Sequence, residues 1–315
     1  MQQRVIRTRC FYMCEWFPQK TAEGFLTALV VLGRVFCYII GMARRTPWQK
    51  EWANLLKAEA RYQKHRTDGP TSLLIMKLDR FIPEKLSGTL AAAFFKAFQI
   101  IFEKGTKLIE MTYNSKRRKA DFKVSNYANE LYGDYKSAHR FTKNAGGSRL
   151  LNLLISFVEG TLLGLVGLGI PDIPLFIAMV LKGVYEVALS YGYDYHDENE
   201  KIFILKVISG AMKDDEDFIE ADAQFNADID VIAKDLGEIG GWNIEKNEQI
   251  RVTSDSLVKE MIYTKFIQGW AIVGIFGGIF DPVYLNRITK YAMLKYRRRF
   301  LAARLEEERR GKQEQ

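Results

Sequence analysis

Ionisable residues within or beside long apolar segments are the positions of this sequence with the clearest chemical potential. A charge among apolar neighbours is costly unless it is paired or serves a site. Lys182 and Glu186 stand four residues apart, on one face of a helix, and we expect them to lie in the interior and face each other. The polar positions that could form one site with them are Glu159, Asp172 and Asp194.

The chemistry open to these residues is acid/base catalysis or binding of a hard cation. The segment YGYDYHDENE at 191–200 adds tyrosines, a histidine and further acids. It has neither EF-hand spacing, nor HExxH, nor a paired Glu-x-x-His motif. The chain holds three histidines and neither a GxSxG motif nor a P-loop. We therefore predict no metal, no cofactor and no catalytic residue, and we leave enzymatic activity open.

Turn and cap residues frame the second apolar segment. In PDIP, Asp172 can accept hydrogen bonds from the free amides of the next helix, while Pro174 gives up none that the helix needs. Gly192 is placed to end that helix. DENE at 197–200 predicts an Asp-x-x-Glu variant of the capping box for the helix that follows.

Three apolar, glycine-rich runs dominate the second half of the chain, at 150–170, 175–193 and 266–280. The first is long enough to cross a bilayer, and PDIP joins it to the second as a helical hairpin. Small residues at or near a spacing of four allow helices to pack closely, in a soluble core or in a membrane. The glycines predicted to do so are Gly160, Gly164, Gly167, Gly274 and Gly278.

The fold class follows from composition and period. Hydrophobic residues make up 48% of the chain, and they recur at helical spacing while strand-like alternation is scarce. We predict an all-α helical bundle with apolar Gly-rich helical hairpins. Residues 48–64 predict an amphipathic helix with Trp52, Leu55, Leu56 and Ala60 on one stripe. An acidic helix is expected after residue 213, with its apolar face formed by Phe218, Phe225, Ile229, Ile232 and Leu236.

Further helices are predicted at 71–80 and 83–111, with mixed helix and loop at 113–144. All three cysteines lie in the first 40 residues, which fits a reducing compartment. We divide the chain into an N-terminal extension at 1–45, a helical domain at 46–301 and a charged C-terminal tail at 302–315.

Two basic clusters, KRRK and KYRRR, give the chain much of its net charge of +8. No nucleic-acid-binding module accompanies them, so we expect no specific nucleic-acid partner. Beside apolar runs, such charges fit the phosphates of anionic headgroups, and a solvated helix face is the alternative. The residues predicted to make headgroup contact are Lys116, Arg117, Arg118, Lys119, Arg297, Arg298 and Arg299.

The glycine-rich lead, PDIP and YGYD from Gly160 to Tyr193, together with Gly269 to Leu301 ending in YRRRFL, resemble the EcsC family. The resemblance covers about Trp48 to Leu301. It implies membrane association and a link to an ABC transporter system, because the family takes its name from a protein encoded beside such a transporter's subunits. It implies no activity, since none is established for the family.

We therefore expect a membrane-associated, non-enzymatic accessory or lipid-interacting protein at the cytoplasmic face, either peripheral or inserted through its hairpins. Its expected partners are membrane lipids or an integral membrane protein, and a small-molecule ligand stays unknown. Two alternatives remain open. A lipid-modifying enzyme would need Asp172, Glu186 and Asp194 to converge, and a soluble helical protein-binding module would need neither lipid nor catalysis.

Overall fold

The computed structural model describes residues 45–67, 84–146, 172–213, 215–234, 244–267 and 282–314. These residues are almost entirely helical and include no strand, which confirms the all-α prediction. From Thr46 onward they belong to one compact unit. The helices are α1 (Pro47–Thr67), α2 (Glu84–Ile100), α3 (Thr106–Met111), α4 (Ser115–Tyr132), α5 (Tyr135–Asn144), α6 (Asp172–Ser190), α7 (Glu198–Ala211), α8 (Asp215–Lys234), α9 (Lys246–Ile267) and α10 (Pro282–Gln313).

Helix α6 is the centre of the bundle. Its sequence from Ile173 to Ser190 is largely apolar apart from Lys182 and Glu186, and it packs against α2, α4 and α10. The stretch Ile173–Ser190 is long and apolar enough to cross a membrane, yet 94% of it is buried inside the protein. The apolar side chains of this second run are therefore covered by the neighbouring helices. The rest of the predicted hairpins, with Glu159, Gly160, Gly164, Gly167, Gly274 and Gly278, lies outside the described residues.

Helix α10 is the longest element and contacts α1, α6, α7 and α8. Tyr284, Ile288, Tyr291, Tyr296 and Phe300 are all buried along it. Helices α2 and α7 both pack on α9. A π-helical turn, Ile101–Gly105, joins α2 to α3 without a break.

The amphipathic faces differ in how well the sequence predicted them. On α8, Phe218, Phe225, Ile229 and Ile232 are buried as expected. On α1, Leu56 is 45% exposed, so the predicted stripe is rotated. The buried face instead follows Trp48, Leu55 and two charged residues, Glu51 and Glu59, because partners on α10 neutralise the two acids.

The segment 113–144, predicted as mixed helix and loop, is almost all helix. Gly133, with φ of 54°, ends α4, and the Asp134 side chain accepts the amide of Ser137 to start α5. The tight turn brings α4 and α5 into contact with each other.

Helix ends around the central segment follow the predicted turn chemistry. Gly192 has φ of 86° just after α6, and Asp197 caps α7 by accepting the amides of Asn199 and Glu200. The Glu200 side chain does not complete a capping box, because it is buried and bonded to α10. Helix α6 begins at Asp172, whose side chain lies outside the described part, so its capping role stays a prediction.

Candidate functional site

A cleft of about 600 Å³ opens between α4, the end of α5 and the last turns of α6. Three cations line it, Arg117, Arg118 and Lys143, against two acids, Asp121 and Glu186. Further lining comes from the turn before α4 and from the end of α5 and the residues after it, including Tyr113, Asn114, Asn144 and Gly146. The lining thus includes several charged side chains, and its net charge depends on how the acids are paired.

Glu186 lines the cleft, and Lys182 lies beside it in the core. Lys182 Nζ lies 3.5 Å from Glu186 Oε1, and each side chain is 1% exposed. The prediction that they face each other in the interior is confirmed. Burial lowers the pKa of Lys182, while the attraction of Glu186 opposes that change. The pair is thus a charged site within the apolar core.

Arg118 is a third member of this group that the sequence pattern did not reveal. It reaches from α4 and donates to Glu186 Oε2. Its guanidinium group also lies 3.4 Å from Ser190 Oγ and 3.5 Å from the Asn144 carbonyl oxygen. Two cations therefore surround one buried carboxylate, and the positive charge at this point exceeds the negative charge.

Two residues of the KRRK cluster, Arg117 and Arg118, line the cleft, whereas Lys116 and Lys119 do not. Helix α4 starts just after Asn114, whose side chain accepts the amide of Arg117 at 2.9 Å. Lys116 and Arg117 are exposed, whereas Arg118 turns inward. Lys119 pairs with Asp194 at 3.0 Å on the surface. Lys116 and Arg117 thus have the exposure that headgroup contact requires.

The proposed polar site is assembled in part. Glu186 and Asp194 are bound by consecutive residues of α4, Arg118 and Lys119. Burial alone would raise the pKa of Asp194, but the Lys119 ammonium and the His196 amide hold it below its usual range. Each carboxylate is therefore paired with a different cation of α4. The side chains of Glu159 and Asp172 lie outside the described residues.

A hydrogen-bonded chain runs from the cleft to the surface, and sequence reasoning missed it. The Tyr113 hydroxyl donates to Tyr195 Oη at 2.8 Å, and Tyr195 donates to Glu110 at 2.6 Å. Glu110 also contacts His196 Nε2 at 2.9 Å. Burial raises the pKa of both tyrosines, so they stay protonated at neutral pH. Only the clustering of tyrosines at 191–195 pointed toward such a chain.

The YRRR segment of α10 differs from its prediction as a headgroup contact. Arg297 binds Glu51 at 2.9 Å, Arg298 binds Glu59 at 2.9 Å, and Arg299 binds Glu200 at 2.7 Å. All three arginines are less than 10% exposed. Their guanidinium groups neutralise acids of other helices, and this internal pairing replaces the predicted contact with phosphates.

A second buried polar cluster lies one turn before those arginines. Lys295 Nζ is 2.6 Å from Asp222 and 3.8 Å from Glu59, and all three side chains are buried. Tyr291 donates to Asp222 at 2.7 Å. Burial lowers the pKa of Lys295. This cluster fastens α1, α8 and α10 together, and it lines neither the cleft of α4, α5 and α6 nor the neighbouring groove along α5.

The described residues offer no group of three histidine, cysteine, aspartate or glutamate side chains that could hold a metal ion. The chain matches the family model described as the EcsC protein family over residues 49–301, from the start of α1 to Leu301 in α10. Neither the curated proteins nor the solved structures include a match to the chain.

Proposed function

The chain belongs to the EcsC protein family, and we propose that it is a non-enzymatic, membrane-associated protein that binds anionic lipid headgroups through the cleft of α4, α5 and α6. The observation that carries this proposal is the excess of cations at the cleft. Glu186 is already neutralised by Lys182 and Arg118. Arg117 and Lys143 are therefore opposed only by Asp121 among the other charged lining residues.

The start of α4 also lies at the cleft, with Asn114 and Arg117. The positive end of the helix dipole favours an anion there, although the amide of Arg117 is already bonded to the Asn114 side chain. Because Arg117 and Lys143 stand on different helices, a phosphate between them would be held from two sides.

The continuation of the chain favours a lipid over a free phosphate. Gly146 lines the cleft, and the apolar run at 150–170 begins four residues later. Basic residues beside apolar ones are also typical of the cytoplasmic side of membranes.

Binding is favoured over lipid modification by the pairing of the acids. A general acid or base needs a side chain that can exchange a proton with substrate. Glu186 and Asp194 are each bound to a cation of α4, and Tyr113 and Tyr195 stay protonated. The accessory role beside an ABC transporter, implied by the family resemblance, would place an integral membrane partner beside the same headgroups.

Vesicle sedimentation tests the proposal. The double variant Arg117→Glu/Lys143→Glu should bind vesicles containing phosphatidylglycerol about tenfold more weakly or worse, since each basic residue near an anionic surface contributes about 1 kcal/mol. The control variant Lys57→Glu/Lys290→Glu makes the same charge change at exposed positions of α1 and α10, which do not line the cleft. It should bind much more tightly than the cleft variant.

Further arms of the experiment address the alternatives. Wild-type protein that stays in the supernatant with anionic vesicles at physiological salt would overturn the proposal. So would equal loss of binding in the cleft and control variants. Lipid products detected by mass spectrometry after incubation would assign an enzymatic role instead. Release by high salt indicates electrostatic attachment, whereas release only by detergent indicates insertion.

A further inference from the structure

Helix α4 carries an apolar stripe on the side that faces solvent. Val124 is 53% exposed, Tyr127 is 67% exposed and Leu131 is 61% exposed. Together with Ala120, which is also exposed, they follow one another at spacings of four, three and four, so they lie along one line of the helix. The buried side of α4 is formed by other residues, such as Ser125. The stripe therefore does not serve the core of the described bundle.

Two further exposed aromatic residues extend this apolar surface into the start of α5. Tyr132 is 70% exposed and Tyr135 is 36% exposed. Tyrosine has an apolar ring and a polar tip, and such side chains are enriched where a bilayer meets water. We refer to Val124, Tyr127, Leu131, Tyr132 and Tyr135 as the tyrosine face.

Cations surround the tyrosine face. On α4 the exposed basic residues are Lys116, Arg117, Lys119 and Lys123, of which Lys119 pairs with Asp194. On α5 they are Lys136, Arg140 and Lys143. Acids are fewer there, and two of them have local roles: Asp134 caps α5 and Glu130 accepts a hydrogen bond from Asn126. A surface that combines apolar rings with this excess of positive charge is complementary to an anionic bilayer.

The same surface is continuous with the cleft. Arg117, which lines the cleft, and Val124 lie two helical turns apart and so share one side of α4. A groove of about 740 Å³ beside the cleft is lined by Tyr132, Tyr135, Lys136 and Arg140, and it shares Lys143 and Asn144 with the cleft. A lipid headgroup in the cleft would thus belong to the same layer of lipid that the tyrosine face meets.

We propose that the tyrosine face is the surface that lies on an anionic membrane, with Val124, Tyr127 and Leu131 entering the headgroup layer. This inference rests on the proposed function and adds the orientation of the protein. The bilayer plane would lie against the outer sides of α4 and α5. The apolar side chains would add partition free energy to the attraction of the surrounding cations.

The matched experiment compares two sets of exposed apolar residues. The variant Val124→Ser/Tyr127→Ser/Leu131→Ser removes the tyrosine face from α4. The control Ile219→Ser/Val231→Ser/Val283→Ser changes residues that are 52%, 57% and 58% exposed, on acidic α8 and at the start of α10. On vesicles of phosphatidylcholine with added phosphatidylglycerol, the first variant should partition about tenfold more weakly or worse, and the control should match the wild type.

The outcomes separate the orientation from the proposed function. Wild-type protein that does not bind these vesicles would overturn both proposals. Wild-type binding that is lost in Arg117→Glu/Lys143→Glu, but kept in the tyrosine-face variant, would overturn the orientation alone. A dimer that the tyrosine-face variant dissociates, with unchanged vesicle binding, would assign this surface to a second copy of the chain.

A reporter variant keeps the orientation testable if the triple change lowers stability. When anionic vesicles are added, the fluorescence of Leu131→Trp minus that of the wild type should shift to shorter wavelength. Brominated lipids should quench this added fluorescence. Val231→Trp on α8 should show neither. Equal quenching at both positions, or none at Leu131→Trp while the protein is bound, would overturn the proposed orientation.

Discussion

Arg299 and Glu200 form an ion pair of 2.7 Å between α10 and α7, with each side chain 4% exposed. The Tyr296 hydroxyl donates to the other carboxylate oxygen at 2.6 Å. The Arg299 guanidinium carbon lies 3.9 Å from the centre of the Tyr193 ring, and the Phe203 ring is next to it. A planar guanidinium group can satisfy the acid and the rings together, which a lysine ammonium cannot.

Removal of one partner of this pair should destabilise the protein strongly. Arg299→Met leaves the Glu200 carboxylate buried without its cation, and we expect a loss of about 3–5 kcal/mol in the free energy of unfolding. Glu200→Gln/Arg299→Met should recover part of that loss, because no isolated charge remains. Urea unfolding of the wild type, Glu200→Gln, Arg299→Met and the double variant measures the cycle. A double variant at least as unstable as Arg299→Met would contradict this account.

The pair beneath the cleft should behave in the same way. Glu186→Ala removes the acid beside Lys182, which is 1% exposed, and it should destabilise more than Lys182→Ala/Glu186→Ala does. The exposed pair between Lys119 on α4 and Asp194 after α6 supplies the control: Lys119→Ala and Asp194→Ala should each cost less than about 1 kcal/mol and be additive. Thermal unfolding measures both cycles. Additive, small effects at Lys182 and Glu186 would refute the interior charged site.

Local patterns in the sequence predicted what depends on neighbours along the chain. The helical spacing of Lys182 and Glu186 gave their shared face, and the apolar residues around them gave their burial. The prediction that Asp197 caps the next helix and the prediction that Gly192 ends α6 are also confirmed, because caps and turns depend on only a few neighbouring residues. The apolar face of α8 follows the same logic.

The tertiary partners could not be predicted from such patterns. Arg297 and Glu51 are 246 positions apart, and Arg298 and Glu59 are 239 apart. Arginines in a run look solvated when their acids are so distant, and glutamates in an amphipathic helix look exposed. The wrong buried face on α1 and the wrong exposure of the YRRR arginines therefore have the same cause. Glu51 and Glu59 are buried because Arg297 and Arg298 pair with them, and the arginines are buried for the same reason. Arg118 was misassigned to the surface cluster for the same reason.

The glycine after α6 should be replaceable only at a cost. Gly192 has φ of 86°, and a Cβ there would overlap the ring of Phe122, which packs on the core. Gly192→Ala should lower the free energy of unfolding by about 2–4 kcal/mol, from backbone strain and steric overlap together. Gly133→Ala is the control, because Gly133 has φ of 54° but open space around it. It should cost about 1 kcal/mol. Equal costs would exclude the contact with Phe122.

Glu51 and Glu59 occupy the same buried face of α1, yet their pKa values move in opposite directions. Burial raises the pKa of Glu59 above its ordinary 4.5, and the attraction of Lys295 and Arg298 does not fully offset it. Burial acts against ionisation of Glu51 as well, but hydrogen bonding to His139 and the charge of Arg297 outweigh it, so the pKa of Glu51 is lowered. The stability of the protein should therefore depend on pH in opposite directions through these two residues.

The pH dependence of stability should separate these two acids. The stabilising contribution of a protonated Glu59 is fully present below pH 4.5 and is lost as pH rises through its raised pKa in the folded protein. The stability of wild type relative to Glu59→Gln should therefore fall with rising pH in that window. For Glu51→Gln the sign reverses: the carboxylate contribution is present above pH 4.5 and is lost as pH falls through the lowered pKa. Urea unfolding at a series of pH values measures both differences, and parallel curves for the two variants would contradict the assignment of opposite shifts on α1.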